Sequence, residues 1–200
     1  MTIPVLHNAE LDALTEVCSI GMGHAATALS QLMGKGVDIR VPRLQLLDAV
    51  AVASLLDTQE VTVLQLQILG NVRGTILILL RQENARCILE LLLGKPPAAD
   101  LPLSELESAT LMEVGNILAS ACLNALGVML KMTLLPSVPT LIHGDAEEVF
   151  PPLLERDGDG EAIVMIDTMF SVADALCSGS IFLIPAPASL GAMLTALNGQ

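Results

Sequence analysis

Apolar residues recur at every third or fourth position between residues 9 and 34, which is the spacing of one helix face. The pattern predicts a long helix that ends at Gly34 and Gly36. Gly21 and Gly23 lie inside it, and because each glycine costs a helix about 1 kcal/mol, we expect a close backbone approach or a kink there. The apolar positions are Leu11, Leu14, Val17, Cys18, Met22, Ala25, Leu29 and Leu32.

Shorter apolar runs separated by turn residues follow this helix and predict strands. Gly70-Asn71 fits a hairpin turn, and Gly94 ends a second, shorter helix. The predicted elements of the first half are strands over Val37–Val41 and Val50–Leu55, hairpin strands over Val61–Leu69 and Gly74–Leu80, and a helix over Glu83–Leu93.

The second half repeats this order of elements. Ser104 is a candidate N-cap of another long helix, and Glu107 three residues later completes a capping box. The predicted elements are a helix over Ser104–Lys131, strands near Ser137–Ile142 and Glu147–Pro151, a loop over Asp157–Gly160, hairpin strands over Ala162–Ala173 and Gly179–Ile184, and a helix over Ser189–Leu197. The order predicts an α/β (α+β) fold in which long helices pack on a largely antiparallel sheet.

The two halves also resemble each other residue by residue. At an offset of 97, Thr15–Asp48 aligns without a gap with Met112–Asp145, and nine of the 34 positions are identical. At an offset of 105, Gly74–Leu77 aligns with Gly179–Phe182. Self-similarity at a fixed offset indicates duplication of one structural unit. We therefore expect residues 1–200 to form a single, pseudo-two-fold domain made of repeats at about 9–94 and 104–199.

Composition narrows the function classes. With 52% hydrophobic and 16% charged residues, the chain is apolar enough to bury a sizeable core, which excludes a disordered chain. That core has to be aliphatic, because there are three Phe and no Trp or Tyr. A net charge of −13 argues against a nucleic-acid-binding protein, which needs clusters of Lys and Arg. The charge fits a basic or mixed-charge protein partner, or serves solubility alone.

A mean hydropathy of +0.66 raises the question of a membrane segment. The longest apolar stretch, Ile181–Leu197, contains Pro185 and Pro187, and no clean 20-residue span is expected. No signal peptide is evident at the N-terminus, so we expect a cytoplasmic protein without membrane contact. The four cysteines lack CxxC spacing and are interpreted as reduced core residues rather than disulfides or metal ligands: Cys18, Cys87, Cys122 and Cys177.

Polar residues that recur on the two apolar long helices are the candidates for chemistry. Glu113 and Asn116 are three residues apart and project from one helix face, and Glu16 and Ser19 occupy the equivalent positions in the first half. A carboxylate can bind a partner's lysine, and a carboxamide can orient a water molecule. The spacing also fits an ordinary solvated helix edge, but its repetition favours a functional pair.

Three other features are weaker candidates. His24 could ligate a metal, but Ala121 stands at the equivalent position of the second half, and no metal site is predicted. The segment Asp157–Glu161 lacks the 12-residue ligand spacing of a calcium loop. Arg73 and Arg81 border the first hairpin and could contact phosphate, although isolated arginines at strand ends usually face solvent.

The residues around these pairs carry a family resemblance. LTEVCSIGMGHAATALS at 14–30, followed by VDIRVP at 37–42, resembles the opening of the CheC family of bacterial chemotaxis phosphatases, and MEVGNIL at 112–118 resembles the second helix of that family. The family pattern is an acidic residue or Ser, three spacers, Glu, two spacers, Asn, a longer spacer and Pro. Glu113, Asn116 and Pro139 match it, with 22 residues between Asn116 and Pro139. The resemblance covers the chain from end to end.

The chain departs from the family pattern in each half. In the first half Asp12, Glu16 and Pro42 match, but Ser19 stands where Asn belongs. Because a serine hydroxyl is shorter than a carboxamide, we expect this first site to be weak or silent. In the second half Ala109 occupies the leading position, which neither orients water nor anchors the partner. The second site is therefore the better candidate.

The resemblance implies a phosphatase that hydrolyses the aspartyl phosphate of a CheY-type response regulator. The partner would bring the phosphoaspartate, its Mg²⁺ and a lysine; Glu113 would anchor that lysine, and Asn116 would place the attacking water, as a Gln does in GTPases. No metal or cofactor is expected on this chain. A CheD-type deamidase is a second partner that the resemblance suggests. The alternative is a non-catalytic adaptor that binds a phosphorylated regulator or such a deamidase, an alternative that Ser19 keeps open.

Overall fold

The computed structural model describes residues 8–48, 51–52, 54, 60–94, 102–155, 163–172 and 175–198. The helices within these ranges are α1 (Asn8–Met33), α2 (Gln82–Leu93), α3 (Glu105–Leu130), α4 (Ala146–Glu155) and α5 (Pro187–Asn198). The strands are β1 (Val37–Leu47), β2 (Glu60–Gly70), β3 (Gly74–Arg81), β4 (Leu134–Pro136), β5 (Thr140–Asp145), β6 (Ile163–Val172) and β7 (Ala175–Pro185).

All the strands join one antiparallel sheet, which confirms the predicted fold class. The order is β1-β6-β7-β3-β2-β4, and β5 also pairs with β2. At the centre β3 pairs with β7, with Ile76 opposite Leu183. The equivalent strands of the two halves thus lie at symmetric positions on either side of the central β3–β7 pair. The offset of 105 also aligns α2 with α5 residue for residue. The two-repeat division stays a prediction that this arrangement supports.

The main core lies between one face of the sheet and the helices α1 and α3. Fully burying one aliphatic side chain of this size stabilises a fold by about 1.5–3 kcal/mol. Among the most buried members are Met22, Leu29, Leu64, Ile76, Leu118 and Leu126. A smaller cluster on the other face centres on Phe150 of α4 and Phe182 of β7, whose rings meet edge to face at 4.9 Å.

The two long helices run antiparallel across the sheet. Five antiparallel pairings separate β1 from β5, so these edge strands point in opposite directions. Each long helix turns back directly into its edge strand: the backbone N–H of Val37 donates to Ser30 Oγ at 2.9 Å, and that of Met132 donates to the Gly127 carbonyl at 2.9 Å. The directions of α1 and α3 are therefore opposite as well.

Gly21 sets how closely the two helices approach. A Cβ atom at this position would lie 2.9 Å from the carbonyl oxygen of Ala121 and 3.0 Å from the Cβ of Ala125. The expected close backbone approach is therefore present at Gly21. It is absent at Gly23, where no atom from elsewhere in the described part of the chain lies within 4 Å of the corresponding point.

Two predicted strands are wrong where the structure describes them. Ala51, Val52 and Ser54, within the strand predicted over 50–55, are helical, and Asp48 Oδ1 accepts a hydrogen bond from Ala51 N at 2.6 Å. The strand predicted over 147–151 lies in α4. The apolar side chains of α4 recur at helical spacing and are buried in the smaller cluster. This tertiary packing decides the conformation, whereas the short apolar run in the sequence is ambiguous between strand and helix. The predicted loop over 157–160 lies outside the described residues.

The cysteines are only partly as expected. Cys87 of α2 and Cys177 of β7 form a disulfide, which corrects the expectation of four reduced thiols. They are 90 residues apart in sequence, and α2 lies against β7, where Asn84 Oδ1 accepts a hydrogen bond from Ser178 N at 2.8 Å. Cys18 and Cys122 are free and buried, as predicted.

Helix α3 is long and apolar enough to cross a membrane by length and composition alone, with a mean hydropathy of 1.4 over its best window. Its uncharged run, between Glu113 and Lys131, is 17 residues long and so falls short of the clean 20-residue span that was not expected. Half of that window is buried inside the fold, where α3 packs against both α1 and the sheet. This packing accounts for its apolar composition.

Candidate active site

Helix α3 holds Glu113 and Asn116 on its side away from the sheet. The helix begins at the predicted capping box: Glu107 N donates to Ser104 Oγ at 3.3 Å, and Glu107 Oε2 accepts from Ser104 N at 2.8 Å. Its sheet-facing side includes Gly115, where a Cβ would lie 2.7 Å from Leu64 Cδ1, so the helix lies close on β2.

The candidate pair itself is accessible. Glu113 is exposed and Asn116 is half-buried, and neither side chain makes a hydrogen bond or ion pair with another described residue. A carboxylate and a carboxamide one helical turn apart can therefore both be offered to a second molecule. The carboxylate can accept hydrogen bonds, and the carboxamide can both accept and donate them to a water molecule.

The equivalent residues on α1 are arranged differently. Asp12 and Glu16 are exposed, as is Ser19. The Ser19 hydroxyl donates a hydrogen bond of 2.8 Å to the Thr15 carbonyl within its own helix. Its proton is therefore directed along the helix backbone rather than outward, which adds to the short reach of the side chain.

Pro42 and Pro139 both interrupt an edge strand. The pairing of β1 with β6 shifts register between Arg40 and Arg43, and Pro139 falls in the gap between β4 and β5. Proline has no N–H for a strand ladder, so an edge strand is where it is tolerated.

The 22-residue spacing returns each proline to the level of the site. From Ser19 the helix rises about 16 Å to Ser30, and β1 then runs back about 16 Å from Val37 to Pro42. The same path on the second half leads from Asn116 to Pro139. The spacing of the motif thus follows from helix and strand rise.

The two candidate sites are well separated. Because Gly21 lies beside Ala121 and the helices are antiparallel, Glu16 and Glu113 lie on opposite sides of the crossing. At a rise of 1.5 Å per residue they are roughly 20 Å apart along the helix pair. This separation is large enough for the two sites to act independently of each other.

The remaining sequence candidates do not join these sites. Arg81 lines a cleft of about 470 Å³ on the opposite face of the sheet, and Arg73 is exposed at the hairpin turn. Ala109 is exposed and offers no polar side-chain atom. Among the described residues there is no group of three or more His, Cys, Asp or Glu that could hold a metal ion, and the segment 157–161 lies outside them.

Sequence reasoning missed an apolar groove of about 410 Å³ between α1 and α3. An exposed asparagine, Asn124, is its most polar contribution from α3. The sequence did offer one signal for Asn124: the offset of 97 aligns it with another polar residue, Thr27, on the first long helix. The groove is lined by Val17, Ile20, His24, Asn124, Ala125, Val128 and Met129.

The architecture defines a class of protein in which paired long helices on an antiparallel sheet present a polar surface site. Among solved structures, it resembles Thermotoga maritima FliY, with a TM-score of 0.78 at 20% identity over 98% of both chains. It also resembles the CheX-CheY-BeF3-Mg+2 complex from Borrelia burgdorferi, with a TM-score of 0.51 at 18% identity over 82% of this chain and 95% of that chain. These likenesses show the fold.

The family follows from the sequence. The model of the CheC-like family matches residues 10–45, which contain most of α1 and of β1. The CheY-P phosphatase CheC of Bacillus subtilis is 31% identical over 164 residues, which are 80% of this chain and 78% of that protein. The chain belongs to the CheC-like family.

Proposed function

We propose that this protein accelerates hydrolysis of the aspartyl phosphate on a CheY-type response regulator, and that Glu113 and Asn116 carry the activity. The observation that supports this most directly is the outward-facing carboxylate and carboxamide at the motif positions of α3, which pair with no other residue that the structure describes. The relative from Bacillus subtilis is named for the same activity.

The division of labour follows from the chemistry of the two side chains. The regulator supplies the phosphoaspartate, its Mg²⁺ and a lysine near the phosphoryl group. Glu113 accepts a hydrogen bond from that lysine and so fixes the orientation of the complex. Asn116 orients a water molecule in line with the phosphorus, and because it is held on a packed helix, little ordering is needed at the moment of reaction.

The first site contributes less to turnover. Glu16 can still bind the lysine of a regulator, but the Ser19 hydroxyl is bonded to the Thr15 carbonyl. A site with the anchor and without the water-orienting amide on its own helix binds more than it hydrolyses. This is the one respect in which the structure favours an adaptor role.

The test is the decay rate of a phosphorylated CheY-type regulator with wild type, Asn116→Ala and Ser19→Asn in parallel. Deleting a group that acts in the transition state often costs about 10²–10³ in rate, so Asn116→Ala should lose most of the acceleration while regulator binding persists. Ser19→Asn should raise the rate.

Ser19→Ala is the matched control, because it removes a hydroxyl that is turned back onto the helix. Its rate should equal that of wild type. Wild-type hydrolysis in Asn116→Ala would refute the site assignment. No acceleration by wild type, with binding of the regulator or of a CheD-type deamidase retained, would establish the adaptor instead.

A further inference from the structure

The face of the sheet opposite α1 and α3 carries a cleft of about 470 Å³ that the proposed function does not use. Sites for small molecules commonly have volumes of about 300–1,000 Å³. Part of the cleft lining is apolar and belongs to the smaller core cluster, in which Leu79 and Phe182 are buried. Its polar lining includes Arg43, Asp167 and Ser180 from three neighbouring strands.

Two opposite charges lie side by side in this cleft. Arg43 on β1 is directly opposite Asp167 on β6, and residues paired in this way project from the same face with Cβ atoms about 4.5–5.5 Å apart. Asp167 is half-buried, and the hydroxyl of Ser180 on β7 donates to its Oδ1 at 3.2 Å. Arg43 and Asp167 form no ion pair with each other or with another residue that the structure describes. The guanidinium and the remaining lone pairs of the carboxylate are therefore both available to a ligand.

An irregularity in β1 places Arg43 in the cleft. The pairing of β1 with β6 shifts register between Arg40 and Arg43, and such a shift changes the direction of the side chain that follows it. Arg40, on the other side of the shift, bonds to Asp38 at 2.7 Å and does not line the cleft. The offset of 97 carries Arg43 onto Thr140, so this cation is not part of the repeated framework.

The lining favours a ligand that carries both charges. Asp167 and the net charge of −13 repel a purely anionic ligand, and Arg43 repels a purely cationic one. An α-amino acid has its carboxylate and its ammonium group on one carbon atom, which suits two charged side chains that lie side by side. Met165 and Phe182, which also line the cleft, suit an apolar side chain on the same ligand.

We propose that this cleft binds a free α-amino acid with an apolar side chain. Arg43 donates hydrogen bonds to the ligand carboxylate, and Asp167 accepts one from the ligand ammonium group. The inference does not depend on the proposed function, because the cleft and the helices α1 and α3 lie on opposite faces of the sheet.

Isothermal titration calorimetry with L-leucine, L-methionine and L-phenylalanine as probes tests the binding. At least one probe should bind, and its deaminated and decarboxylated analogues, which each lack one charged group, should bind at least about tenfold more weakly. Arg43→Gln and Asp167→Asn should each raise the Kd by a similar factor. Arg40→Gln is the matched control on the same edge strand and should leave the Kd unchanged, since Arg40 lies outside the cleft.

NMR of the methionine methyl groups locates the bound probe. Met165 and Met169 line this cleft, whereas Met129 lines the apolar groove between α1 and α3. The probe should shift the resonances of Met165 and Met169 and leave that of Met129 in place. The inference is overturned if no probe binds, if the deaminated analogue binds equally well, if both cleft variants keep the wild-type Kd, or if Met129 alone responds. None of these outcomes bears on the phosphatase activity.

Discussion

At the scale of single residues, Gly21 and Gly23 differ in what surrounds them although both are interior glycines of α1. A methyl group at Gly21 would press on the backbone of α3 at Ala121, while Gly23 faces open space. Replacement by alanine gains the same helix propensity of about 1 kcal/mol at both positions. Any difference between the two variants therefore measures the helix contact.

We expect Gly23→Ala to raise the free energy of unfolding by about 1 kcal/mol. Gly21→Ala should be less stable than Gly23→Ala by about 1–3 kcal/mol, the usual cost of overpacking a close contact. Urea denaturation of both variants measures this difference. Equal stabilities would mean that α1 and α3 do not approach each other at Gly21.

A second feature of this kind is the pair of buried thiols, Cys18 and Cys122, between helices α1 and α3. The hydrogen bond with the Cys18 side chain, together with burial, raises the pKa of the Cys122 thiol well above its usual range. The folded state thus keeps a proton that the unfolded state releases above its own pKa of about 8.5. Stability from this source is complete below that pH and is lost as the pH rises towards the folded pKa.

The free energy of unfolding should therefore fall above about pH 8.5, by up to about 1.4 kcal/mol per pH unit from this group. In Cys122→Ala the slope should be shallower, although the variant starts from a lower stability because a small cavity is left. Denaturation curves between pH 7 and pH 10 give both slopes. Parallel slopes would show that the thiol titrates alike in both states.

At the scale of elements, the N-terminus of α3 depends on a local interaction that the sequence reveals directly. Ser104 and Glu107 bond reciprocally, and the Ser104 hydroxyl also donates to Glu107 Oε2 at 2.7 Å. Ser104→Ala should lower the free energy of unfolding by about 1 kcal/mol. Ser19→Ala, which removes a hydroxyl from an exposed helix interior, should cost less; similar losses would mean that the cap carries no special stability.

How far the elements could be predicted depends on whether local signals decide them. Caps, glycines and periodicity give α1, α2 and α3 to within one or two residues, and Gly70-Asn71 gives the central hairpin. The segment around Phe150 could not be predicted as a helix, because Pro151 and Pro152 argue against one. Its conformation is set by burial against Phe182 on the far face of the sheet.

The candidate site, too, could be predicted only where local sequence signals decide it. Glu113 and Asn116 could be chosen from the sequence, since their spacing places them on one helix face. The placement of Asn124 in the groove between α1 and α3 could not, because it depends on how the two helices cross. Contacts between helices that are distant in sequence require the packed fold.

At the scale of the whole molecule, the edge strands exchange partners between the halves. β1 from the first half pairs with β6 from the second, and β5 from the second pairs with β2 from the first. Neither half has a complete sheet of its own, so both should unfold together. This interlocking, with α1 and α3 packed at its centre, holds the two candidate sites at a fixed separation.

The disulfide adds a covalent link to this interlocked arrangement. Cys87 belongs to the first half and Cys177 to the second, and the bridge closes a long loop of the chain. A link of this kind stabilises a fold by about 2–4 kcal/mol, mainly by restricting the unfolded chain. Addition of a thiol reductant should therefore lower the free energy of unfolding of wild type by that amount.

The Cys87→Ala Cys177→Ala variant is the control for this last prediction, and its stability should not respond to the reductant. Thiol titration of the denatured protein before reduction should detect two free thiols, those of Cys18 and Cys122. Four free thiols without reductant would mean that the two halves are held together by packing and strand pairing alone. In that case wild type would also be insensitive to the reductant.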